Sequence, residues 1–293
     1  MTQTVAFLGL GTLGAPMAAN LARRGFRVKG WNRTPGRPGI ALAKTAGVEI
    51  QASLPEAVQD ADLILTCVGN GADVEAVLLA PGAAADWARP QSLIIDFSTI
   101  GVEAAQSIGA ALGEKNLRFL DGPVSGGDVG AQRGTLTIMV GGAPADFAEA
   151  EPYLQALGTQ IIHCGPLGSG QAVKLCNQVL VSLNMIGLCE AVVLARTLDL
   201  DPQLMIQVCQ GGAAGSWALT HLGPKVAAGD YEPGFMIRHI LKDLGFVQAA
   251  VPELPGLTLA QSLFTAVAGL PLGPEQGTQA MMRAYDNLRQ SNA

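Results

Sequence analysis

The sequence predicts two domains: an α/β domain with a parallel sheet over residues 1–165 and an all-α domain over residues 166–293. Short apolar runs of strand length alternate with helical patterns in the first half of the chain, which is typical of a parallel sheet covered by helices. Beyond residue 165 the remaining apolar runs all have helical periodicity. A long apolar helix over residues 168–196 stands at this change and is expected to join the two domains.

Composition excludes several classes of protein. The chain has 293 residues, enough for two domains, and a net charge of −6 without a basic run, so nucleic acid is not an expected partner. Its five cysteines form no CxxC pair, which favours reduced thiols in a cytoplasmic protein. The N-terminus lacks the basic segment of a signal peptide, and polar residues such as Glu190 interrupt the long helix, so we expect neither export nor a membrane span.

A glycine-rich segment separates the first two apolar runs, Thr4–Leu8 and Phe26–Trp31. It consists of Gly9, Leu10, Gly11, Thr12, Leu13 and Gly14, and a helical pattern follows it. Strand, G-x-G-x-x-G, helix and strand form the dinucleotide-binding unit of the Rossmann fold. Gly9 is expected to make the tight turn, Gly11 to let the backbone approach the pyrophosphate, and Gly14 to let the helix pack on the strand. We therefore predict a Rossmann domain whose glycine loop and helix N-terminus bind a dinucleotide.

The end of the second strand indicates which dinucleotide is bound. NAD enzymes typically place Asp or Glu there to bind the ribose hydroxyls. Here the position holds Asn32, followed by Arg33 and Thr34. These side chains can hydrogen-bond a 2′-phosphate, which a carboxylate would repel, although Arg33 can also be an ordinary loop charge. We therefore expect NADP(H) in preference to NAD(H).

Two further strands end in polar loops of the kind that bind cofactors. The strand Asp62–Val68 leads into a loop at residues 69–71, at the sheet edge where such folds bind their ligands. The strand Leu93–Phe97 ends at Ser98 and Thr99. These hydroxyls either cap the next helix or contact the nicotinamide side of the cofactor.

A Ser-Gly-Gly turn follows the next strand. Ser125, Gly126 and Gly127 would expose several backbone N–H groups together, a nest suited to a carboxylate, unless the segment is a plain surface loop. Two more strands, Leu136–Gly141 and Gln160–Cys164, complete the predicted sheet.

The long helix, Gly168–Arg196, carries one lysine, Lys174, on an otherwise apolar second turn. Asn177 and Gln178 share its face at helical spacing. A lysine on a buried helix either pairs with a carboxylate or has a chemical role, and the helix alone leaves both open. Five further helices are predicted after it: Pro202–Gln210, Trp217–Ala227, Ile237–Val251, Thr258–Ala268 and Gln276–Leu288.

Four segments occur in an order and spacing that resemble a known family. They are Gly9–Leu21, Asp121–Gly127 (D-G-P-V-S-G-G), Gly170–Asn177 (G-Q-A-V-K-L-C-N) and Lys242–Leu244 (K-D-L). Over nearly its whole length the chain resembles the β-hydroxyacid dehydrogenases, which include 3-hydroxyisobutyrate dehydrogenase, tartronate semialdehyde reductase and glyoxylate/succinic semialdehyde reductases. The resemblance implies a Rossmann domain joined by a long interdomain helix to an all-α domain, assembled as a homodimer or homotetramer.

The resemblance also implies roles for individual residues. Lys174 would be the catalytic proton donor or acceptor, and Ser125, Gly126 and Gly127 would bind substrate. The implied cofactor contacts beyond the glycine loop and residues 32–34 are Val68, Gly69, Asp73, Thr99, Phe235 and Lys242. Many relatives carry a catalytic asparagine four residues after the lysine, where this chain has Gln178. Asn177 faces nearly the same way, so we assign Asn177 to catalysis and Gln178 to substrate binding and leave open which amide contacts substrate.

The expected reaction is NADPH-dependent reduction of a small carboxylate-bearing aldehyde or keto acid, such as glyoxylate, succinic semialdehyde or tartronate semialdehyde. The alternative is a 3-hydroxyisobutyrate dehydrogenase that works oxidatively. Lys174 argues against an imine reductase, and the lack of a histidine three residues later argues against a phosphogluconate-type enzyme. Lys174 and Ser125 together argue against a non-catalytic cofactor-binding protein. No metal site is expected, since His163, His221 and His239 lie apart in the sequence.

Overall fold

A computed structural model describes the backbone of residues 3–290 and the side chains of residues 3–286. The chain forms two compact units, Met1–Lys174 and Leu175–Ala293. The sequence places the boundary at residue 165, nine residues earlier. The difference arises because the first turns of the long helix hydrogen-bond to strand ends of the first unit, through Gln171 and Asp121.

The first unit contains a sheet of nine strands in the part of the chain that the structure describes. The strands are β1 (Thr4–Leu8), β2 (Arg27–Trp31), β3 (Glu49–Ile50), β4 (Leu63–Thr66), β5 (Leu93–Asp96), β6 (Arg118–Asp121), β7 (Val124–Ser125), β8 (Leu136–Gly141) and β9 (Gly158–Gly165). The order β3-β2-β1-β4-β5-β6 is parallel throughout. The carboxyl ends of these strands therefore share one edge, which is where open α/β sheets bind their ligands.

The far side of the sheet is mixed. Both β6 and β7 pair antiparallel with one side of β8, and β9 pairs parallel with its other side. Gly122 and Pro123 interrupt the strand between β6 and β7 without changing its register. The sequence predicts β6, β8 and β9 as strands but does not reveal that β8 runs against its neighbour.

Helices cover both faces of the sheet. They are α1 (Gly14–Arg23), α2 (Pro38–Thr45), α3 (Leu54–Val58), α4 (Gly71–Leu78), α5 (Val102–Glu114), α6 (Gly127–Arg133) and α7 (Pro144–Leu154). Along β1, Val5 and Phe7 join one buried apolar cluster while Ala6 and Leu8 join another, because successive side chains of a strand point to opposite faces. This double burial explains why the strands are apolar runs rather than alternating patterns.

A single helix, α8 (Ser169–Thr197), leads from the first unit into the second. By length and composition alone it is apolar enough to cross a membrane, with a mean hydropathy of 1.8 in its most apolar stretch, of which 44% is buried within the protein. Buried core helices of soluble proteins can be equally long and equally apolar. Gln171, Lys174, Gln178 and Ser182 are buried on this helix and hydrogen-bonded within the protein, as expected of a core helix.

In its described residues the second unit contains helices joined by loops, and no β-strand. After α8 come α9 (Pro202–Cys209), α10 (Trp217–His221), α11 (Gly223–Ala228), α12 (Ile237–Ala250), α13 (Pro255–Ala268) and α14 (Met282–Gln290). The prediction of one helix over Trp217–Ala227 is wrong, because Leu222 separates α10 from α11 and Pro224, in the first turn of α11, has no N–H group to continue the helix. The predicted helix Gln276–Leu288 begins instead as a short 3₁₀ turn, Thr278–Met281, before α14.

Candidate active site

The glycine loop between β1 and α1 has the shape that a dinucleotide requires. Gly9 has φ of +102°, and a side chain there would collide with the carbonyl oxygen of Cys67. A side chain on Gly14 would collide with the carbonyl oxygen of Gly9. Nothing lies within 4 Å of the point where Gly11 would carry a Cβ, so the backbone there is open to a ligand. The three glycines therefore fit the roles of turn, cofactor approach and close helix packing, and the loop fits a bound dinucleotide.

The other residues of the glycine loop differ in burial, and Asn32 hydrogen-bonds to the loop. Leu10 is buried, Thr12 is exposed, and Leu13 is half-buried at the N-cap of α1. Asn32 holds the loop in place, because its Oδ1 accepts a hydrogen bond from the Leu10 N–H at 2.8 Å and its amide donates to the Thr34 carbonyl at 2.7 Å. Asn32 thus binds the protein backbone as well as lying where a ribose is expected.

Arg33 lies at the carboxyl end of β2, and its guanidinium is paired with a carboxylate. Its Nη1 is 2.6 Å from Oδ1 of Asp73, near the start of α4, and the arginine side chain is 65% exposed. The other oxygen of Asp73 lies against Gly69, so a larger residue there would displace the Asp73 carboxylate. The sequence placed Arg33, Gly69 and Asp73 in the cofactor site, and the structure brings all three together.

A buried network supports the loops that follow β4 and β5. Ser98 accepts a hydrogen bond from the Val68 N–H at 2.9 Å and donates to Oδ1 of Asp96 at 2.7 Å. Thr66 donates to the same oxygen at 2.6 Å. The other carboxylate oxygen of Asp96 is buried without a hydrogen-bond partner among the described residues. Burial raises the pKa of Asp96 to about 6, so this carboxyl is neutral below that pH and ionised above it. Ser98 therefore acts as a brace, while half-buried Thr99 is the residue next to it that lies closer to solvent.

The Ser-Gly-Gly turn lies between β7 and α6. Ser125 is the last residue of β7, and Gly126 and Gly127 have φ of +128° and +63°. Only glycine adopts two such conformations in succession without strain, so the turn is fixed by its sequence. Ser125 and Gly127 are half-buried and Gly126 is exposed, which leaves the backbone of this turn accessible.

Lys174 lies on the second turn of α8, in the first unit. Its side chain is 6% exposed, and its ammonium donates a hydrogen bond to the Val124 carbonyl at 2.8 Å. Val124 directly precedes Ser125, so the amine is held at the start of the Ser-Gly-Gly turn. A buried amine beside an accessible turn of N–H groups can hold and protonate the oxygen of a small polar ligand.

The start of α8 is capped from the neighbouring strand β6. Asp121 accepts hydrogen bonds from the Gly168 N–H at 2.7 Å and the Gln171 N–H at 2.8 Å. Burial raises the pKa of Asp121, and these backbone hydrogen bonds oppose the rise. Asp121 and Asp96 are paired residues of adjacent strands. Both end apolar strands, so a lone carboxylate at the end of such a strand was the signal for them in the sequence.

In the second unit, the side-chain amides of Asn177 and Gln178 differ in their burial and in their hydrogen-bond partners. Gln178 is 2% exposed, and its amide donates to Oδ2 of Asp243 at 2.6 Å. Its own oxygen accepts from the half-buried Asn177 at 2.9 Å. Lys242 lies 3.2 Å from the second oxygen of Asp243 as an ion pair without hydrogen-bond geometry. Gln178 is therefore held by Asp243, which makes Asn177 the more available of the two amides.

Phe235 is half-buried just before α12, and its ring packs against His239 with centroids 5.9 Å apart.

His163 contacts the Gly142 carbonyl, and His221 contacts the Trp217 carbonyl. Within residues 3–286 no group of three His, Cys, Asp or Glu side chains is arranged to hold a metal ion.

Most of the sequence-predicted residues therefore belong to the first unit. These are the glycine loop, residues 32–34, Val68, Gly69, Asp73, Thr99, the Ser-Gly-Gly turn and Lys174. Asn177, Gln178, Phe235 and Lys242 belong to the second. Sequence reasoning missed Asp96 and Gln171, since their partners lie on other elements.

Family models match both halves of the chain. Residues 4–165 match the NAD-binding domain of 6-phosphogluconate dehydrogenase, and residues 168–285 match the NAD-binding domain of NADP-dependent 3-hydroxyisobutyrate dehydrogenase. Together they cover most of the sequence.

Individual relatives agree with these models. The chain is 53% identical to an uncharacterized oxidoreductase of Synechocystis over 96% of its own length and 97% of the relative's. It is 36% identical to the NAD-dependent L-serine dehydrogenase of Pseudomonas aeruginosa, covering 89% of this chain and 90% of that one. The solved structure of Mycobacterium tuberculosis 3-hydroxyisobutyrate dehydrogenase with L-serine is 35% identical and has a TM-score of 0.86, covering 97% of this chain and 99% of that one. The sequence, the fold and these relatives together show that the chain belongs to the β-hydroxyacid dehydrogenase family of oxidoreductases.

Proposed function

We propose that the chain is an NADPH-dependent reductase that converts small aldehyde or keto acids to hydroxy acids, with glyoxylate, succinic semialdehyde and tartronate semialdehyde as the substrate class. The observation that carries this proposal is the buried Lys174, whose ammonium is held 2.8 Å from the Val124 carbonyl at the start of the Ser-Gly-Gly turn.

The proposed mechanism assigns one task to each group. The bound nicotinamide supplies the hydride. Lys174 hydrogen-bonds the substrate carbonyl oxygen and donates the proton that the developing alkoxide needs, a role worth roughly 10²–10⁴ in rate. The N–H groups of Ser125, Gly126 and Gly127 hold the substrate carboxylate and so orient its carbonyl. Asn177 supplies a further hydrogen bond to substrate, and Thr99 and Lys242 contact the cofactor.

The proposed preference for NADPH depends on Arg33. No carboxylate stands at position 32, where NAD enzymes typically bind the ribose hydroxyls. The exposed pair between Arg33 and Asp73 contributes little stability, roughly 0–1 kcal/mol, so a doubly charged 2′-phosphate can compete for the guanidinium.

A second candidate is oxidation of a β-hydroxy acid such as 3-hydroxyisobutyrate or L-serine. It is favoured by the relatives of Pseudomonas aeruginosa and Mycobacterium tuberculosis, which carry those names and that ligand at 36% and 35% identity. The same lysine serves this direction by accepting the hydroxyl proton.

A substrate panel tests both candidates. Glyoxylate, succinic, tartronate and methylmalonate semialdehyde are offered with NADPH and NADH, and 3-hydroxyisobutyrate and L-serine with NADP⁺ and NAD⁺. We expect the highest kcat/KM for an aldehyde acid with NADPH. A higher value for a hydroxy acid with NAD⁺ would replace the first candidate by the second, and no turnover of any compound would reject both.

We also propose that the protein is a cytoplasmic homodimer or homotetramer. Large apolar side chains on α8 stand exposed in the single chain, among them Leu180 at 63% and Leu194 at 58%, which supports burial against another copy. Light scattering after gel filtration should give a mass of two or four chains, and a mass of one chain would contradict this assembly.

A further inference from the structure

Gln171 is a wholly buried polar residue on the first turn of α8, three residues before Lys174. At helical spacing the two side chains lie on the same side of the helix. The mechanism proposed above gives Gln171 no task. A buried glutamine is expected to be hydrogen-bonded, so the informative question is which groups it binds.

Its amide binds three backbone groups of one short loop. The Nε2 group donates to the Ser98 carbonyl at 2.9 Å. The Oε1 atom accepts from the Ile100 N–H at 3.0 Å and from the Gly101 N–H at 3.2 Å. The Gln171 side chain therefore supplies hydrogen bonds that these backbone groups would otherwise form within a helix or a sheet.

The loop in question joins β5 to α5 and contains Thr99. On its other side, Ser98 binds the Val68 N–H and Asp96, as described above. The backbone N–H of Gln171 is itself fixed by Asp121 at 2.8 Å. A continuous buried chain of hydrogen bonds thus runs from the end of β6 through Gln171 to the loop that carries Thr99.

We infer that Gln171 is a positioning residue that sets the distance between the Thr99 loop, on the cofactor side, and the turn of α8 that carries Lys174. The inference rests on the proposed function, since it assigns Thr99 to the cofactor and Lys174 to proton transfer. In this role the Gln171 amide binds protein backbone groups rather than substrate or cofactor. It acts by fixing where the two reacting partners lie relative to each other.

Reaction rates are sensitive to such alignment, and a displacement of about 1 Å can cost roughly 10²-fold in rate. Without the Gln171 amide, the loop has three buried backbone groups to satisfy and must shift or admit water. We therefore expect a large loss in kcat and a small change in cofactor affinity, because the glycine loop is untouched.

The test compares Gln171→Met with a matched control, Gln106→Met. Gln106 is exposed on α5, and its amide lies 3.4 Å from the Leu167 carbonyl just before α8, without touching the Thr99 loop. We expect Gln171→Met to lower kcat by roughly 10²-fold while the Kd for NADPH changes by less than about threefold, and the control to retain wild-type kcat. A kcat within about threefold of the control, or equal losses in kcat and cofactor affinity, would overturn the inference.

A second variant covers the case in which Gln171→Met does not fold. In Gln171→Glu the carboxylate keeps both acceptor bonds but opposes the Ser98 carbonyl, and protonation restores the donor. Its kcat, relative to wild type, should rise as the pH is lowered. A pH-independent ratio would overturn the inference.

Amide hydrogen exchange separates this inference from the proposed function. Exchange of the Ile100 and Gly101 N–H groups should accelerate in Gln171→Met, which removes their acceptor, and remain at the wild-type rate in Gln106→Met, whether or not a substrate is known. Unchanged exchange would reject the positioning role. Turnover of none of the panel compounds by the wild type would instead reject the proposed function.

Discussion

At the scale of single residues, several polar side chains near strand ends form hydrogen bonds with residues that are far away in the sequence. Asn32 and Asp121 each accept a hydrogen bond from a backbone N–H group of another loop, and Asp96 accepts one from the Thr66 hydroxyl of the neighbouring strand. Most of these contacts hold the binding loops in shape. Lys174 and Arg33 differ, because each presents a cation at a place where an anionic ligand is expected.

Arg33→Ala should reduce the preference for NADPH over NADH. A charge-assisted hydrogen bond to the 2′-phosphate is worth about 1.5–3 kcal/mol, so the ratio of kcat/KM for the two cofactors should fall by roughly 10- to 100-fold. Arg24→Ala, an exposed arginine at the end of α1, is the matched control. An unchanged ratio in Arg33→Ala would show that Arg33 does not bind the phosphate.

Asp73→Asn should have the opposite effect on the same ratio. It removes a negative charge that lies 2.6 Å from the Arg33 guanidinium and that a bound phosphate would have to displace. We expect a several-fold rise in the NADPH preference, and no such rise when Arg33 is already alanine. A fall in the ratio would mean that Asp73 orients Arg33 rather than competing for it.

Asp96→Asn should change the pH dependence of stability. Because burial raises the pKa of Asp96 in the folded protein to about 6, its contribution is fully present below the unfolded pKa and is lost as the pH rises through 6. Two pKa units correspond to about 3 kcal/mol, so the free energy of unfolding of Asp96→Asn relative to wild type should increase by up to that amount from pH 4 to pH 7.5. Urea denaturation at both pH values measures it, and a pH-independent difference would contradict the assignment.

At the scale of elements, α8 depends on a neighbouring strand for its start. Both carboxylate oxygens of Asp121 accept hydrogen bonds from N–H groups at the start of α8, whereas an asparagine side chain has only one acceptor oxygen. Asp121→Asn should therefore lower the free energy of unfolding by about 1–3 kcal/mol. Asp201→Asn is the control, because Asp201 caps α9 in the ordinary way and Asn is an equally good cap. Equal effects of the two substitutions would show that Asp121 is not a cap.

The elements themselves could largely be predicted from the sequence. The strand Leu136–Gly141 was predicted with its observed ends, and the long helix differs from its prediction by one residue at each end. These predictions succeeded because strand and helix periods are local. The helix Trp217–Ala227 failed because the helical period continued across a Gly-Pro break.

The contacts within the site could not be predicted in the same way. Arg33 and Asp73 are 40 residues apart, and Gln171 binds Ser98 from 73 residues away. No local pattern records such pairs, because they depend on strand order and on where a helix begins. The motifs predict which residues belong to the site, and the structure shows which of these residues are hydrogen-bonded to other parts of the chain.

At the scale of the whole molecule, the described chain combines a Rossmann unit that contains the glycine loop with a helical unit that begins within α8. The family relation establishes the class of enzyme. Within that class, we propose that Lys174 transfers the proton and that the polar residues around it hold the loops in place.

The most direct test is a comparison of Lys174→Ala and Lys174→Arg with wild type, using the best substrate of the panel. Arginine keeps the positive charge but does not give up a proton at neutral pH. We expect kcat to fall by roughly 10²–10⁴ in both variants, while the Kd for NADPH stays within about threefold of wild type. If either variant retained more than about a tenth of the wild-type kcat, Lys174 would not be the proton donor.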